Sequence, residues 1–225
     1  MIEKFAVIIL AGGKGLRMGH DLPKQFIEIN GKPIVFHTIE KFIKYNASVS
    51  IVLALPESHL EYWQTISANW TYKNQVQTVI GGKERFFSVK NALETLNNID
   101  CVAIHDGVRP LLSLDFLKRI FSFKKEHKGW VPVIPLVDSI RQKTDDNVSI
   151  AVNRADFMAV QTPQIFDFEK IKQAYQQPFD ENFTDDASVF EQFGENISTF
   201  AGESTNLKIT TQQDLIFAEH LLSER

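Results

Sequence analysis

Short apolar runs bounded by turn residues recur at 5–10, 49–55, 76–80, 101–105 and 131–135. Most carry β-branched side chains at several consecutive positions, the pattern of strands buried on both faces of a parallel sheet. Helical patterns lie between them: Phe86, Val89, Leu93 and Leu96 share one face, and Leu114, Leu117, Phe121 and the stem of Lys124 share another. The alternation predicts an α/β fold with a doubly wound, mostly parallel sheet covered by helices. In such sheets ligands gather beyond the carboxyl ends of the strands. Leu10 leads into a glycine-rich loop, Ile80 into Gly81-Gly82, and Ile104 into His105-Asp106. Three separate segments therefore converge on one crevice.

The rhythm fails between Leu136 and Phe166, where two extended polar arms flank a turn at 144–147. No face of this stretch is apolar enough to form a core of its own, so an arm over about 137–161 is expected to project and pack on a partner subunit. Helices follow near 168–175, from about Thr184, and near 215–222. Asp185 and Asp186 fall in the first turn of the middle one, as charges favourable to the helix dipole. Thr210 and Gln213 have the spacing of a capping box for the last. No repeat or linker divides the chain, and a single domain over 1–225 is the expected organisation.

At 225 residues the chain is long enough to bury a sizeable core. Its net charge of -4 argues against broad nucleic-acid binding, while leaving room for a local basic pocket. Cys101 is the only cysteine, which excludes an intrachain disulfide and disfavours a structural zinc site. No secretory signal pattern and no apolar run of membrane-spanning length is present. A soluble, cytoplasmic protein is expected.

The segment LAGGKGLRMGHDLPKQF, residues 10–26, sets Gly12, Gly13, Gly15 and Gly19 among Lys14, Arg17 and Lys24 directly after the first apolar run. Bare backbone N–H groups and cationic side chains can converge there on phosphate oxygens. It is not a P-loop, since no glycine precedes Lys and then Ser or Thr in the required frame. The dinucleotide fingerprint begun at Gly13 ends on Met18 instead of Gly or Ala. What remains, A-G-G-x-G-x-R-M followed by P-K-Q, resembles the signature loop of nucleotidyltransferases.

Further motifs narrow the resemblance. GGKERFFSV (81–89), HDGVRP (105–110), DSI (138–140), NR (153–154), QTPQIF (161–166), TDDAS (184–188) and NLKIT (206–210) occur in the order found in the 2-C-methyl-D-erythritol 4-phosphate cytidylyltransferase family, and the likeness runs from the first strand to the last helix. The resemblance implies a Rossmann-like nucleotidyltransferase fold. The implied reaction joins CTP and methylerythritol 4-phosphate, giving diphosphocytidyl-methylerythritol and pyrophosphate. A phosphate monoester with a second pKa near ~6 is mostly a dianion at neutral pH, so the attacking oxygen needs no general base. This agrees with the lack of any Ser-His-Asp or paired-carboxylate pattern, and His105 is read as a structural hydrogen-bonding residue.

Residue by residue, the resemblance implies that Arg17 and Lys24 stabilise the transition state, with Mg²⁺ held mainly by the triphosphate. Ala11, Gly12, Gly13 and Gly15 would offer backbone groups to the nucleotide, and Gly82 and Ser88 would meet cytosine and ribose. Lys83 stands where members of the family can carry an acid, so no side-chain role is given to it. Asp106 and Arg109 would lie between the substrates, with Asp106 read as a hydroxyl acceptor in preference to a metal ligand. Arg154 and Lys208 would position the sugar phosphate, with Thr162 and Ser139 nearby. Ser139 keeps the hydroxyl of the family's usual Thr. Because Arg154 and Ser139 lie in the arm, the resemblance implies a homodimer with shared active sites, taking CTP and a sugar-alcohol phosphate and neither nucleic acid nor membrane. Ribitol 5-phosphate cytidylyltransferases share the loop and several motifs, whereas Asn153-Arg154 and Gln161–Pro163 favour methylerythritol phosphate. A reading from another class is a non-catalytic nucleotide-binding subunit, which would have no use for Arg17, Lys24, Arg154 and Lys208 together.

Overall fold

The computed structural model describes residues 4–13, 22–122 and 128–224. Along the chain come β1 (Phe5–Leu10), β2 (Glu28–Ile29), β3 (Lys32–Pro33), α1 (Ile34–Tyr45), β4 (Ser50–Leu55), α2 (Leu60–Ser67), β5 (Val76–Ile80), α3 (Arg85–Glu94), β6 (Cys101–Asp106) and α4 (Leu114–Ile120). They are followed by β7 (Gly129–Pro135), β8 (Arg141–Asp145), β9 (Val148–Ala151), β10 (Met158–Val160), β11 (Gln164–Asp167), α5 (Phe168–Ala174), α6 (Asp186–Gln192), β12 (Ser198–Ala201) and α7 (Gln212–Ser223).

The main sheet has the order β10-β7-β11-β6-β1-β4-β5, with β12 paired to β7. β1, β4, β5 and β6 run parallel, whereas β10 and β11 enter antiparallel. Alternation along the strands divides the core into two layers. Val7, Ile9, Ile51 and Leu53 pack on Val35, Ile39 and Phe42 of α1 and on Phe116 and Leu117 of α4. Ala6, Ile8, Val52 and Ile104 face Phe86, Val89 and Leu93 of α3, Ile171 of α5 and Phe190 of α6. The sheet is thus mixed but mostly parallel, with helices on both faces. Because central strands are buried on both sides, they read as unbroken apolar runs in the sequence.

Three local expectations change. The buried face of α4 is Phe116, Leu117 and Ile120, while Leu114 is 41% exposed. Ser113 caps this helix by accepting from the Phe116 N–H at 2.9 Å, which sets Leu114 at its exposed start; Lys124 lies outside the described residues. The capping box of α7 is formed by Thr211 and Asp214, one residue on from the Thr210 and Gln213 expected. The Asp214 carboxylate accepts from the backbone N–H of both Thr210 and Thr211 at 2.8 Å, a bond an amide at 213 is not placed to replace. The stretch expected to project also divides: β8 and β9 form a separate two-stranded hairpin, but β10 returns to the main sheet beside β7.

His105, near the carboxyl end of β6, is fully buried. Its Nε2–H donates to the Arg109 carbonyl at 3.2 Å, and its Nδ1 accepts from the Thr162 hydroxyl at 2.8 Å. Thr162 Oγ1 in turn accepts from the Asp106 N–H at 3.1 Å. Burial drives the imidazole pKa down to about 4 from 6.5, against the opposing pull of Asp106. Between those values the unfolded chain binds a proton that the folded chain does not, so stability is lost as pH falls from about 6.5 through about 4. Urea unfolding at pH 7 and pH 5 should show a loss of about 2 kcal/mol attributable to His105. A His105→Gln variant starts less stable at pH 7 and loses correspondingly less between the two.

Candidate active site

A cavity of about 310 Å³ opens at the carboxyl ends of β1, β5 and β6. Its walls are built where strands give way to loops. The Ala11 N–H donates to the Ala54 carbonyl at 3.0 Å, Gly81 to Leu55 at 2.7 Å and Gly107 to Leu10 at 2.8 Å. Each loop is therefore tied to the neighbouring strand as it leaves the sheet. The cavity lies at the carboxyl ends of the central strands, where β4 flanks β1 on one side and β6 on the other.

From the first loop, Ala11, Gly12, Gly13 and Lys24 line the cavity. Pro23 begins a single 3-10 turn, Lys24–Phe26, whose Gln25 is fully buried and donates from Nε2 to the Ala11 carbonyl at 2.6 Å. This bond closes the far end of the loop back onto β1 and carries Lys24 with it. A Cβ on Gly13 would stand 3.3 Å from Lys24 Cε, so the lysine stem runs against bare glycine backbone. Arg17 and Gly15 lie outside the described residues.

From the second loop come Gly81, Gly82 and, one helical turn on, Ser88. The Gly82 N–H donates to Ser88 Oγ at 3.1 Å. A Cβ on Gly82 would fall 2.1 Å from Phe87 Cβ, so only glycine lets the loop turn this tightly into α3.

From the third, Asp106 is 9% exposed and holds two cations on one oxygen: Arg109 Nε and Lys208 Nζ each stand 3.1 Å from Oδ2. Burial alone would raise its pKa, but the charges of Lys208, Arg109 and Arg85 more than offset this and hold it well below the usual carboxylate range. Asp106 is thus an anionic acceptor at neutral pH and no proton donor. Arg109 also donates to the Asn206 carbonyl at 2.8 Å, and the Ile209 N–H donates to the Val108 carbonyl at 3.0 Å, which docks the Lys208 segment against the β6 loop. Thr162 reaches the same corner through its bonds to His105 and Asp106.

Ala11, Gly12, Gly13, Lys24, Gly82, Ser88, Asp106 and Lys208 thus share one cavity, with Arg109 and Thr162 directly behind Asp106. Ser139 and Arg154 do not line it. Both are exposed, and the Arg154 guanidinium donates to the Val137 carbonyl beside the β8–β9 hairpin. Arg85, Glu84 and Gln25 line the cavity without having been singled out from the sequence. Asp186 lies in the first turn of α6 as expected, and it is also fully buried and binds Arg85 through both carboxylate oxygens at 2.5 Å. The N-cap is Asp185, which makes a reciprocal capping box with Ser188. A separation of 101 residues between Arg85 and Asp186 leaves no mark on local sequence pattern.

The chain is similar over nearly its whole length to known proteins. The family model for 2-C-methyl-D-erythritol 4-phosphate cytidylyltransferase matches residues 5–224. A curated protein of that name from Bacteroides thetaiotaomicron is 43% identical over 219 residues, covering 97% of this chain and 100% of the relative. Another, from Clostridium perfringens, is 39% identical over 223 residues, covering 97% and 99%. Among solved structures, the 4-diphosphocytidyl-2C-methyl-D-erythritol synthase of Anaerococcus prevotii aligns with a TM-score of 0.81 at 27% identity, covering 98% of this chain and 99% of that one. The 2-C-methyl-D-erythritol 4-phosphate cytidylyltransferase of Francisella tularensis aligns at 0.79 with 29% identity, covering 97% and 100%. With a family model spanning nearly its whole length and relatives of this identity, the chain belongs to the 2-C-methyl-D-erythritol 4-phosphate cytidylyltransferase family, a family of nucleotidyltransferase enzymes.

Proposed function

We propose that the chain transfers the cytidylyl group of CTP to 2-C-methyl-D-erythritol 4-phosphate, releasing pyrophosphate and forming 4-diphosphocytidyl-2-C-methyl-D-erythritol for isoprenoid biosynthesis. The observation that carries this reading is one cavity that gathers glycine backbone, Lys24, Asp106 and Lys208 at the carboxyl ends of the parallel strands β1, β4, β5 and β6, in a member of this family. The acceptor's phosphate oxygen attacks the α-phosphorus, a new P–O bond forms, and the bond to the departing pyrophosphate breaks. Both reactants are anions, so the barrier is chiefly electrostatic.

In this reading Lys24, joined by Arg17, neutralises charge that grows on the five-coordinate phosphorus and the pyrophosphate. Gly12 and Gly13 offer N–H groups to the phosphates, and Gly82 and Ser88 meet the cytosine and ribose. Asp106 accepts from a substrate hydroxyl through Oδ1 while Oδ2 orients Arg109 and Lys208, and Lys208 draws the acceptor phosphate towards the nucleotide. Asp106 and Glu84 are the only carboxylates among the described lining residues, too few to chelate a metal by themselves. A Mg²⁺ would take its oxygens mainly from the triphosphate, offsetting charge there.

The chain acts in this proposal as a homodimer in the cytoplasm. Support comes from the β8–β9 hairpin, a two-stranded sheet apart from the main one. Val148 and Ile150 are more than half exposed on it, and Val137 beside it is 81% exposed. An isolated two-stranded ribbon with such a surface gains by packing on another subunit. Each hairpin then carries Ser139 and Arg154 to its partner's cavity, and Arg suits that task because its fork can hold two phosphate oxygens at once. No helix among the described residues is long and apolar enough to cross a membrane.

Pyrophosphate release measured with CTP, ATP, GTP and UTP against methylerythritol 4-phosphate and ribitol 5-phosphate tests the reading directly. The expected result is turnover confined to CTP with methylerythritol 4-phosphate; faster turnover with ribitol 5-phosphate would reassign the acceptor. Lys24→Ala should lower kcat by about 10²–10³ with a much smaller change in CTP affinity, because its charge matters most as the transition state forms. Steady-state kinetics beside calorimetric CTP binding separates the two effects. Mixed dimers of Lys24→Ala and Arg154→Ala chains should regain activity that neither homodimer has, since one of the two cavities is then intact. A verified mixed dimer without recovery would count against sharing.

A further inference from the structure

The first residue of α3, Arg85, is joined to the first residue of α6, Asp186, by two hydrogen bonds of 2.5 Å. Asp186 also accepts from the Tyr175 hydroxyl at 2.6 Å, and neither Asp186 nor Tyr175 has appreciable exposure. The carboxylate is fully buried while the guanidinium keeps 33% exposure, and such a pair is a poor way to gain stability, since desolvating the carboxylate offsets much of the attraction. Its geometry suits another purpose. Arg85 lines the cavity at the end of the Gly81–Glu84 loop, and Glu84, the N-cap residue of α3, makes no side-chain cap. The start of α3 is held from outside instead.

The anchor itself is rigid. Gln164 of β11 accepts from the Ala187 N–H at 2.9 Å and donates to Asp185 Oδ2 at 2.7 Å, fixing the start of α6 to the sheet. Beside Arg85, the Phe86 ring stacks on Tyr175 with centroids 4.8 Å apart and on Phe183 at 5.6 Å. The loop with Gly82 and Ser88 is thereby braced against the β11–α6 side of the molecule, with Arg85 as the connecting member.

We propose that Arg85 is a positioning residue for the nucleotide: clamped by Asp186 and Tyr175, it fixes the Gly81–Ser88 loop in the conformation that receives the base and ribose. The inference rests on the proposed use of that loop for CTP. It makes CTP affinity depend on the Arg85–Asp186 pair, while acceptor affinity rests on Asp106, Lys208 and the arm.

Three variants test it. Arg85→Lys keeps the charge and loses the bidentate fork, Tyr175→Phe removes one bond to Asp186, and Asp186→Asn weakens the clamp. CTP dissociation constants from calorimetry, KM for each substrate, kcat and melting temperature are compared with the wild type. Arg85→Lys should weaken CTP binding about fivefold to tenfold and Tyr175→Phe about twofold to threefold, in Kd and in KM alike. The acceptor KM should stay within about twofold and kcat at saturating CTP within about threefold. Should Asp186→Asn fail to fold, the other two variants still decide. Unchanged CTP affinity in folded Arg85→Lys overturns the proposal. So does a parallel loss for both substrates that tracks melting temperature, the mark of a merely structural tether. Wild-type protein that binds CTP without turnover would refute the proposed reaction yet leave this inference to be judged on affinity, whereas wild-type protein that binds no CTP refutes both.

Discussion

The pairing of β1 with β6 sets the terms for the whole site. Its register places Leu10 opposite Asp106, so the strand that opens into the glycine loop ends beside the strand that ends in the acid. Parallel strands bring their carboxyl ends to one side, and the loops that follow them have no choice but to meet there. Everything chemically useful in the cavity is carried by this convergence. Lys24 returns to it because Gln25 bonds the Ala11 carbonyl, and Lys208 because its segment pairs with Val108 next to β6.

Asp106 then acts as the electrostatic hub. A carboxylate buried to this degree must be paired, and two cations on a single oxygen satisfy it while being held by it. Behind it the Asp106 N–H, the Thr162 hydroxyl and the His105 imidazole form a relay that ends on the Arg109 carbonyl. The neutral imidazole serves this relay because one ring nitrogen accepts and the other donates; protonation would break it. The histidine is thus a buried hydrogen-bonding support for the acid.

The two halves of the cavity are stabilised by different means. The acid side relies on hydrogen bonds among β6, β11 and the segment at 206–209. The glycine side at 81–88 leans on the Arg85–Asp186 pair and a cluster of aromatic rings around Phe86. The two sides meet in β11, whose Gln164 holds the start of α6, and in Arg85, whose charge helps keep Asp106 ionised, so they are distinct in their contacts but electrostatically coupled.

Periodicity and punctuation carried much of this into the sequence. Central strands buried on both faces must be apolar throughout, so β1, β4 and β6 were legible as runs, and the order of strand, loop and helix led directly to the crevice. The glycines and cations at 10–26 and the motifs at 81–89 and 105–110 are each local in the chain, so they are legible without the fold. Tertiary structure decided what depends on distance along the chain: that β10 rejoins the sheet, that Phe116 and Ile120 rather than Leu114 face the core, and that Asp186, in the first turn of α6, is buried against Arg85. A carboxylate at a helix start looks the same in sequence whether it meets water or a guanidinium from 101 residues away, and only folding brings the partner that determines its burial and its role.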